Sequence, residues 1–231
     1  MDAFIDADSL AYAAGYCEYE AEMRMSVDEK LRTIAEDTGA DRLFIFCEHP
    51  YAKLNFRTHV AVTKPYKGNR KGREKPPFMV DAKIYMRDHY GAEFVVGMES
   101  EDEMTIRAHA VGEQRCVKCA IDKDALMHPG RFYDYRTGKS FVISEDYAEY
   151  AKWLQILTGD SVDCIPGLVG VGPKKAEALL TGSSCYKGAV IAAYRDHGHP
   201  YEYLLEQARL VYILKRRGEV FTPCTREEYE A

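Results

Sequence analysis

Nowhere among the 231 residues does an apolar run approach the ~18 that a membrane-spanning helix requires. The first ten residues, MDAFIDADSL, lack both the basic stretch and the long apolar segment of a signal peptide. No membrane partner is expected, and the cytoplasm is the expected location. Hydrophobic residues make up 46% and charged residues 29%, a balance that excludes a disordered or collagen-like chain. The seven cysteines are odd in number and scattered (Cys17, Cys47, Cys116, Cys119, Cys164, Cys185, Cys224), which argues against a disulfide scaffold and for reduced thiols. Cys116-x-x-Cys119 has no second CxxC and no paired histidines to answer it, so burial in a strand is expected rather than zinc. A Walker loop, GxxxxGK[ST], is absent as well.

What is present is an alternation of short apolar runs with helical patterns. Ala3–Ile5 precedes a helix expected from about Ser9 to Met23. A second helix should start at Ser26, with Glu29 completing a capping box, and stop at Gly39. Leu43–Cys47, a helix from Pro76 to about Tyr90, Phe94–Val96, a helix from about Glu101 and Val117–Ile121 continue the series. Arg131–Phe141, turning at Thr137-Gly138, reads as a hairpin. This order predicts an α/β fold with a mostly parallel sheet flanked by helices. Beyond it, helices are expected from about Ser144 to Gly159, from Pro173, from Ser184 to His197 and from Pro200 to Arg217. Trp153 reads as core, and His197 and His199 as surface turn residues.

Acids follow every strand of the parallel set. Ala3–Ile5 leads into Asp6 and Asp8, and Leu43–Cys47 into Glu48. Phe94–Met98 leads into Glu99, Glu101 and Asp102, and Val117–Ile121 into Asp122 and Asp124. Carboxyl ends of parallel strands share one edge, where ligands bind. Clustered carboxylates must take up protons or recruit cations. Oxygen donors without organised histidine or cysteine point to Mg2+ or Mn2+, the usual equipment of phosphodiester chemistry.

Two further segments stand out. Lys64 to Lys75 holds six basic residues and one acid, a net +5, so the other residues sum to −11. It reads either as a solvated loop or, placed after the second acid-bearing strand, as a track for phosphates, with Tyr66 suited to base stacking. Leu157 to Ala176 carries Asp160 and Asp163, then Gly167, Gly170 and Gly172, then Lys174 and Lys175. A glycine turn opening a helix at Pro173 can cradle a phosphate on backbone N–H groups, although an ordinary interhelical turn would look similar.

Together, Phe4-Ile-Asp6, Tyr66-Lys-Gly-Asn-Arg70, Glu99-Ser-Glu101-Asp102, Asp122-Lys-Asp124 and Gly159-Asp160-Ser-Val-Asp163 running into Gly167–Lys175 resemble the structure-specific 5′ nucleases. These are the flap endonucleases and 5′–3′ exonucleases, especially the compact phage and bacterial forms. The resemblance implies a PIN-like nuclease core over residues 1–143, with a basic arch or clamp at about 64–91. It implies a helical DNA-binding region over 144–231, built on a helix–three-turn–helix element with a glycine hairpin at 167–172 and C-terminal helices. Asp6, Glu48, Glu99, Glu101, Asp102, Asp122, Asp124, Asp160 and Asp163 would form a site for two Mg2+ ions, with Mn2+ as a substitute. Lys67 and Arg70 would meet the scissile phosphate. Tyr66, Gly167, Gly170, Gly172, Lys174 and Lys175 would contact DNA, with K+ at the glycine hairpin. Glu48 and Glu101 stand where the family has Asp.

The activity so implied is metal-dependent hydrolysis of DNA at 5′ ends, nicks or 5′ flaps to 5′-phosphate products, by a monomer, with RNA–DNA substrates left open. Setting the nine site acids aside turns the net charge from −6 to +3, so an acidic total does not oppose DNA binding. A non-catalytic DNA-binding module on the same fold and a PIN-type ribonuclease are the alternatives. The first should have lost site acids, and the second does not account for the glycine hairpin.

Overall fold

The computed structural model describes residues 1–52 and 54–231. Its sheet is built from β1 (Asp2–Asp6), β2 (Arg42–Glu48), β3 (Glu93–Val95), β4 (Cys116–Ala120), β5 (Gly130–Asp134) and β6 (Lys139–Ile143). Strand order is β3-β2-β1-β4-β5-β6, parallel throughout except for the antiparallel β5–β6 hairpin. Thus β1 is central, and Ala3, Phe4 and Ile5 are at most 2% exposed.

Period-two alternation sends side chains to two covered faces. Ala3, Ile5, Val117 and Cys119 pack on one face with α1 (Asp8–Ala14), α2 (Glu20–Thr38) and α4 (Met79–Tyr90); the short α3 spans Arg57–Val60. Phe4, Phe46 and Cys116 pack on the other with Met104 and Ala108 of α5 (Ser100–Val111) and Ala148 of α6 (Glu145–Thr158). Cys116 and Cys119 therefore lie on opposite faces, and all seven cysteines are free.

The remaining helices, α7 (Pro173–Thr181), α8 (Tyr186–Asp196), α9 (Tyr201–Val211) and α10 (Arg226–Glu230), gather around a second cluster. Trp153, Ile156, Leu180, Tyr194, Leu204 and Val211 are buried in it. Ser144 caps α6 by accepting from the Tyr147 N–H, and α6 closes at Gly159, as expected. No helix is long and apolar enough to cross a membrane among the described residues.

The helix expected from Pro76 starts at Met79, and three further helix boundaries differ from expectation. The first helix stops at Ala14, because a Cβ at Gly15 would sit 2.6 Å from the Met79 nitrogen and 2.9 Å from Pro76 Cβ, so the chain must turn against the entry to α4. The second starts at Glu20, which leaves Ser26 inside the helix and its pairing with Glu29 no capping box. The helix after Pro200 ends at Val211, and residues 212–217 run on as a non-helical strap. Leu210 and Tyr212 carbonyls are taken by the buried Arg57 guanidinium at 2.9 and 2.7 Å, which draws the backbone out of the helical ladder.

Candidate active site at the carboxyl edge of the sheet

Asp6 ends β1, Glu48 ends β2, Glu99 caps α5 after β3, and Asp122 caps the 3-10 turn Lys123–Met127 after β4. Four strand ends thus deliver acids to one edge. Asp160 and Asp163 arrive from the turn after α6. That turn is closed by reciprocal Asp160–Ile165 backbone hydrogen bonds of 2.9 and 2.7 Å. It rests on two glycines set back to back: a Cβ on Gly159 would lie 2.4 Å from the Gly167 nitrogen.

The acids feel one another. Burial, then Asp8, pushes Asp6 up to about 7. Burial, then Asp8 and Glu99, does the same to Glu48. Glu101 and Asp124 are raised well above the carboxylate range, first by burial and then by Asp122. Glu99 goes the other way. Burial opposes its charge, yet Lys67 and Arg57 hold it at about 2. Ser100 Oγ has one proton and lies 2.6 Å from both Asp6 Oδ1 and Asp8 Oδ2. That single proton can serve only one of the two carboxylates, so the pair is left mutually repelling, in keeping with the raised Asp6.

Side-chain cations share the edge with the acids. Lys67 is paired with Glu99 and lies 3.7 Å from Asp163; Arg70 is paired with Asp163, Lys83 with Asp8, and Lys123 with Asp160 at 3.2 Å. Gln155 donates to Asp124. Among the described residues the acids consequently do not close into a ready-made cage of three ligands. The lysines and the protons neutralise what would otherwise repel.

The basic loop is docked rather than free. Glu206 of α9 accepts the Val62 and Thr63 N–H groups, both at 2.7 Å, and the Thr63 hydroxyl. Further along, the Lys67 N–H donates to the Asp163 carbonyl at 2.9 Å, and the Asn69 amide donates to the Ser161 and Val162 carbonyls. Lys67 takes a left-handed φ of 53° in that turn.

The expected site residues thus mostly converge, with three exceptions. Asp102 does not face the acids: its carboxylate accepts two bonds from Arg57, one from the Glu99 N–H and one from the Leu214 N–H. Every lone-pair direction is used, so a buried ion pair replaces the expected ligand. Tyr66 is not an open stacking platform. Its ring packs against the helical cluster, and its hydroxyl lies 2.8 Å from Glu99 and 2.9 Å from Asp163. Gly167 is buried, its N–H donating to Gln207 and its carbonyl accepting from Tyr203. Gly170, Gly172, Lys174 and Lys175 are exposed, with the Lys175 ammonium on the Gly170 carbonyl at 3.0 Å.

Arg57, Lys83, Ser100 and Gln155 join the site with no local sequence pattern to mark them, whereas Asp8, two residues after Asp6 at the same strand end, stands among the edge acids that the sequence shows but outside the expected ligand set.

The T5 5′-exonuclease with divalent metal ions (zinc) bound superposes with a TM-score of 0.69 at 15% identity, over 91% of this chain and 89% of that one. The bacteriophage T5 D15 flap endonuclease in a pseudo-enzyme-product complex with DNA and metal ions gives the same TM-score and identity, over 92% of this chain and 89% of that one. The fold is that of the structure-specific 5′ nucleases. The catalytic core of Rad2 in complex with a DNA substrate shares this 5′ nuclease fold, with a TM-score of 0.57 at 13% identity over 95% of this chain and 78% of that one. No protein-family model matches the sequence, and no curated protein does either.

Proposed function

We propose that the chain is a divalent-metal-dependent 5′ nuclease acting on DNA with 5′ ends, nicks or 5′ flaps and releasing 5′-phosphorylated fragments. One observation carries the reading: acids from four strand ends and the Asp160–Asp163 turn meet at one edge, with Lys67 and Arg70 laid across them. The fold it shares with the T5 and Rad2 nucleases supports the same class. Residues 1–143 would carry most of the chemistry, and residues 144–231 would grip the duplex and add Asp160 and Asp163 to the site.

The donor set fits a hard divalent cation. It is all oxygen, and Glu101 Oε1 is buried without a hydrogen-bond partner, an unmet demand that a cation would satisfy. Asp6, Glu48, Glu99, Glu101, Asp122, Asp124, Asp160 and Asp163 would hold two Mg2+ ions, with Mn2+ as a substitute. Such ions supply Lewis-acid stabilisation of phosphoryl oxygens and a water of lowered pKa. Lys67 keeps its charge: burial works against it, and Glu99, Asp163 and Glu48 outweigh burial. Lys67 and Arg70, pre-positioned by the docked loop, would then stabilise charge developing on the scissile phosphate. The Tyr66 hydroxyl bridges Glu99 and Asp163 and so fixes the spacing between the α5 acids and the turn acids.

Duplex backbone would meet the exposed Gly170–Lys175 hairpin at the N-terminus of α7, where free N–H groups, Lys174 and Lys175 suit phosphate. A K+ ion at the hairpin would take the place of the Lys175 ammonium on the Gly170 carbonyl.

The test is cleavage of 5′-labelled duplex, nicked duplex and 5′-flap duplex with Mg2+ and with EDTA. Metal-dependent cutting near the 5′ end to 5′-phosphorylated products supports the proposal. Tight binding of the branched substrate without cutting would favour a non-catalytic DNA-binding module instead.

A further inference from the structure

Asp102 lies within the acid string that opens α5, yet it is fully buried and turned away from the other acids. It is the N3 residue of a capping box. The Glu99 side chain receives the N3 backbone N–H, and Asp102 Oδ2 receives the Glu99 N–H at 3.0 Å. The orientation of Glu99 and Glu101 therefore depends on where Asp102 is held. Arg57, 1% exposed, holds it with both ends of its guanidinium at 2.6 and 3.0 Å. The same guanidinium grips the Leu210 and Tyr212 carbonyls, and the Leu214 N–H returns to Asp102 at 2.9 Å. Neighbouring bonds reinforce the strap: His128 Nε2 donates to the Ile213 carbonyl at 2.7 Å, and Arg217 pairs with the buried Glu103 at 2.6 Å.

The strap is the continuation of α9, and α9 holds two other parts of the site. Gln207 and Tyr203, one turn apart, fix both backbone groups of Gly167 at the root of the glycine hairpin. Glu206 fixes the root of the basic loop. One helix and its extension thus touch the hairpin, the loop and the Arg57–Asp102 pair.

We propose that α9 and residues 212–214 form a spacer between the duplex-gripping hairpin and the acids of α5, with Arg57 and Asp102 as the joint that sets Glu99 and Glu101 in place. Arg57 and Asp102 are positioning residues for the site, and their link to metal affinity rests on the nuclease reading. Removing a partner that orients a ligand lowers metal affinity by roughly 10–100-fold even when every ligand remains.

The test compares wild type with Arg57→Lys, which keeps the charge and loses the fork, and Asp102→Asn, which keeps the shape and loses the charge. If a single variant fails to fold, Arg57→Met/Asp102→Leu replaces the ions by apolar groups of similar volume, an exchange that cores tolerate. Three readouts are taken: backbone amide exchange at Glu99 and Leu214, Mn2+ affinity, and duplex affinity in EDTA. The joint predicts exchange faster by on the order of tenfold at both amides. It predicts Mn2+ affinity reduced about tenfold by either change, with the double variant no worse than the single ones. Duplex affinity in EDTA should stay within about twofold, because no phosphate contact is removed. Unchanged exchange at Glu99 overturns the proposal, as does faster exchange with unchanged Mn2+ affinity. Were Asp102 itself a ligand, Arg57→Lys would preserve or raise Mn2+ affinity while Asp102→Asn lowered it, which also overturns it. A wild type that binds no Mn2+ refutes the metal reading of the site, and the exchange result alone then upholds or overturns the joint.

Discussion

Replacing Gly159 by alanine should unsettle the turn that carries Asp160 and Asp163. Gly159 has φ 64° and ψ −161°, a conformation essentially confined to glycine. Forcing a side chain into it costs about 1–3 kcal/mol. The added Cβ would also lie 2.3 Å from the Ile165 carbonyl oxygen, 2.4 Å from the Gly167 nitrogen and 2.7 Å from the Pro166 carbonyl carbon. All three are backbone atoms, so no rotamer change relieves the overlap, and overpacking adds about 1–3 kcal/mol. The sum, about 2–6 kcal/mol, is a large share of the 5–15 kcal/mol typical of a folded domain. Two other glycines calibrate the result. Gly170 has φ 86° but open space around its Cβ position, so Gly170→Ala should lose only about 1–2 kcal/mol. Gly172 has φ −81° and open space, so Gly172→Ala should be within about 1 kcal/mol of wild type, on either side. Urea unfolding of the three variants in EDTA gives these differences directly. A Gly159→Ala protein within 1 kcal/mol of wild type, or one no weaker than Gly172→Ala, would refute the back-to-back packing.

Other consequences follow from the charges. Without metal, the protein should be more stable at pH 6 than at pH 8. Asp6 and Glu48 sit at about 7 when folded, against 3.8 and 4.5 unfolded, so their contribution is present at low pH and is lost as pH rises through 7. Glu101 and Asp124, also raised by burial and by Asp122, add to this trend, whereas His128, driven well below 6.5 by burial and Lys118, opposes it as pH falls. Mg2+ should flatten that slope in thermal or urea melts; greater stability at pH 8 than at pH 6 in EDTA would contradict the burial of uncompensated acids. Lys67→Met should reduce the single-turnover cleavage rate by roughly 10²–10³ with duplex affinity little changed, the pattern for charge stabilisation at the reacting phosphate. An unaltered rate would place Lys67 outside the chemistry. Tyr66→Phe removes the proton bridging Glu99 and Asp163 and should weaken Mn2+ binding about tenfold by calorimetry; undiminished affinity would show that the bridge does not set the spacing.

Much of this arrangement was legible because β-structure advertises itself. Four apolar runs with an acid directly after each predict both the parallel sheet and the shared edge, and Asp6, Glu48, Glu99 and Asp122 lie there. What escaped were partners distant in sequence. Arg57 meets Asp102 across 45 positions, and a lone Arg or the lone Lys83 on an amphipathic helix has no local pattern to mark it. Asp102 reads as a ligand because Glu99, Glu101 and Asp102 look alike in a string. On a helix N-terminus the N3 side chain folds back onto the N-cap, away from its neighbours. Ser26-x-x-Glu29 misled for the converse reason: a capping box and a helix interior can share one spelling, and only the packing of Gly15 against Met79 shows where the turn falls. Tyr66 suits base stacking by its residue type, whereas its ring is claimed by the apolar cluster under the loop.

The central claim is that the acid edge is a divalent-cation site. Calorimetric titration of the metal-free protein with Mn2+, in wild type and in Asp124→Asn, tests it without any nucleic acid. Two bound ions in wild type, with at least one lost in the variant, is the expected result. Absence of Mn2+ binding to a folded wild type would contradict the account.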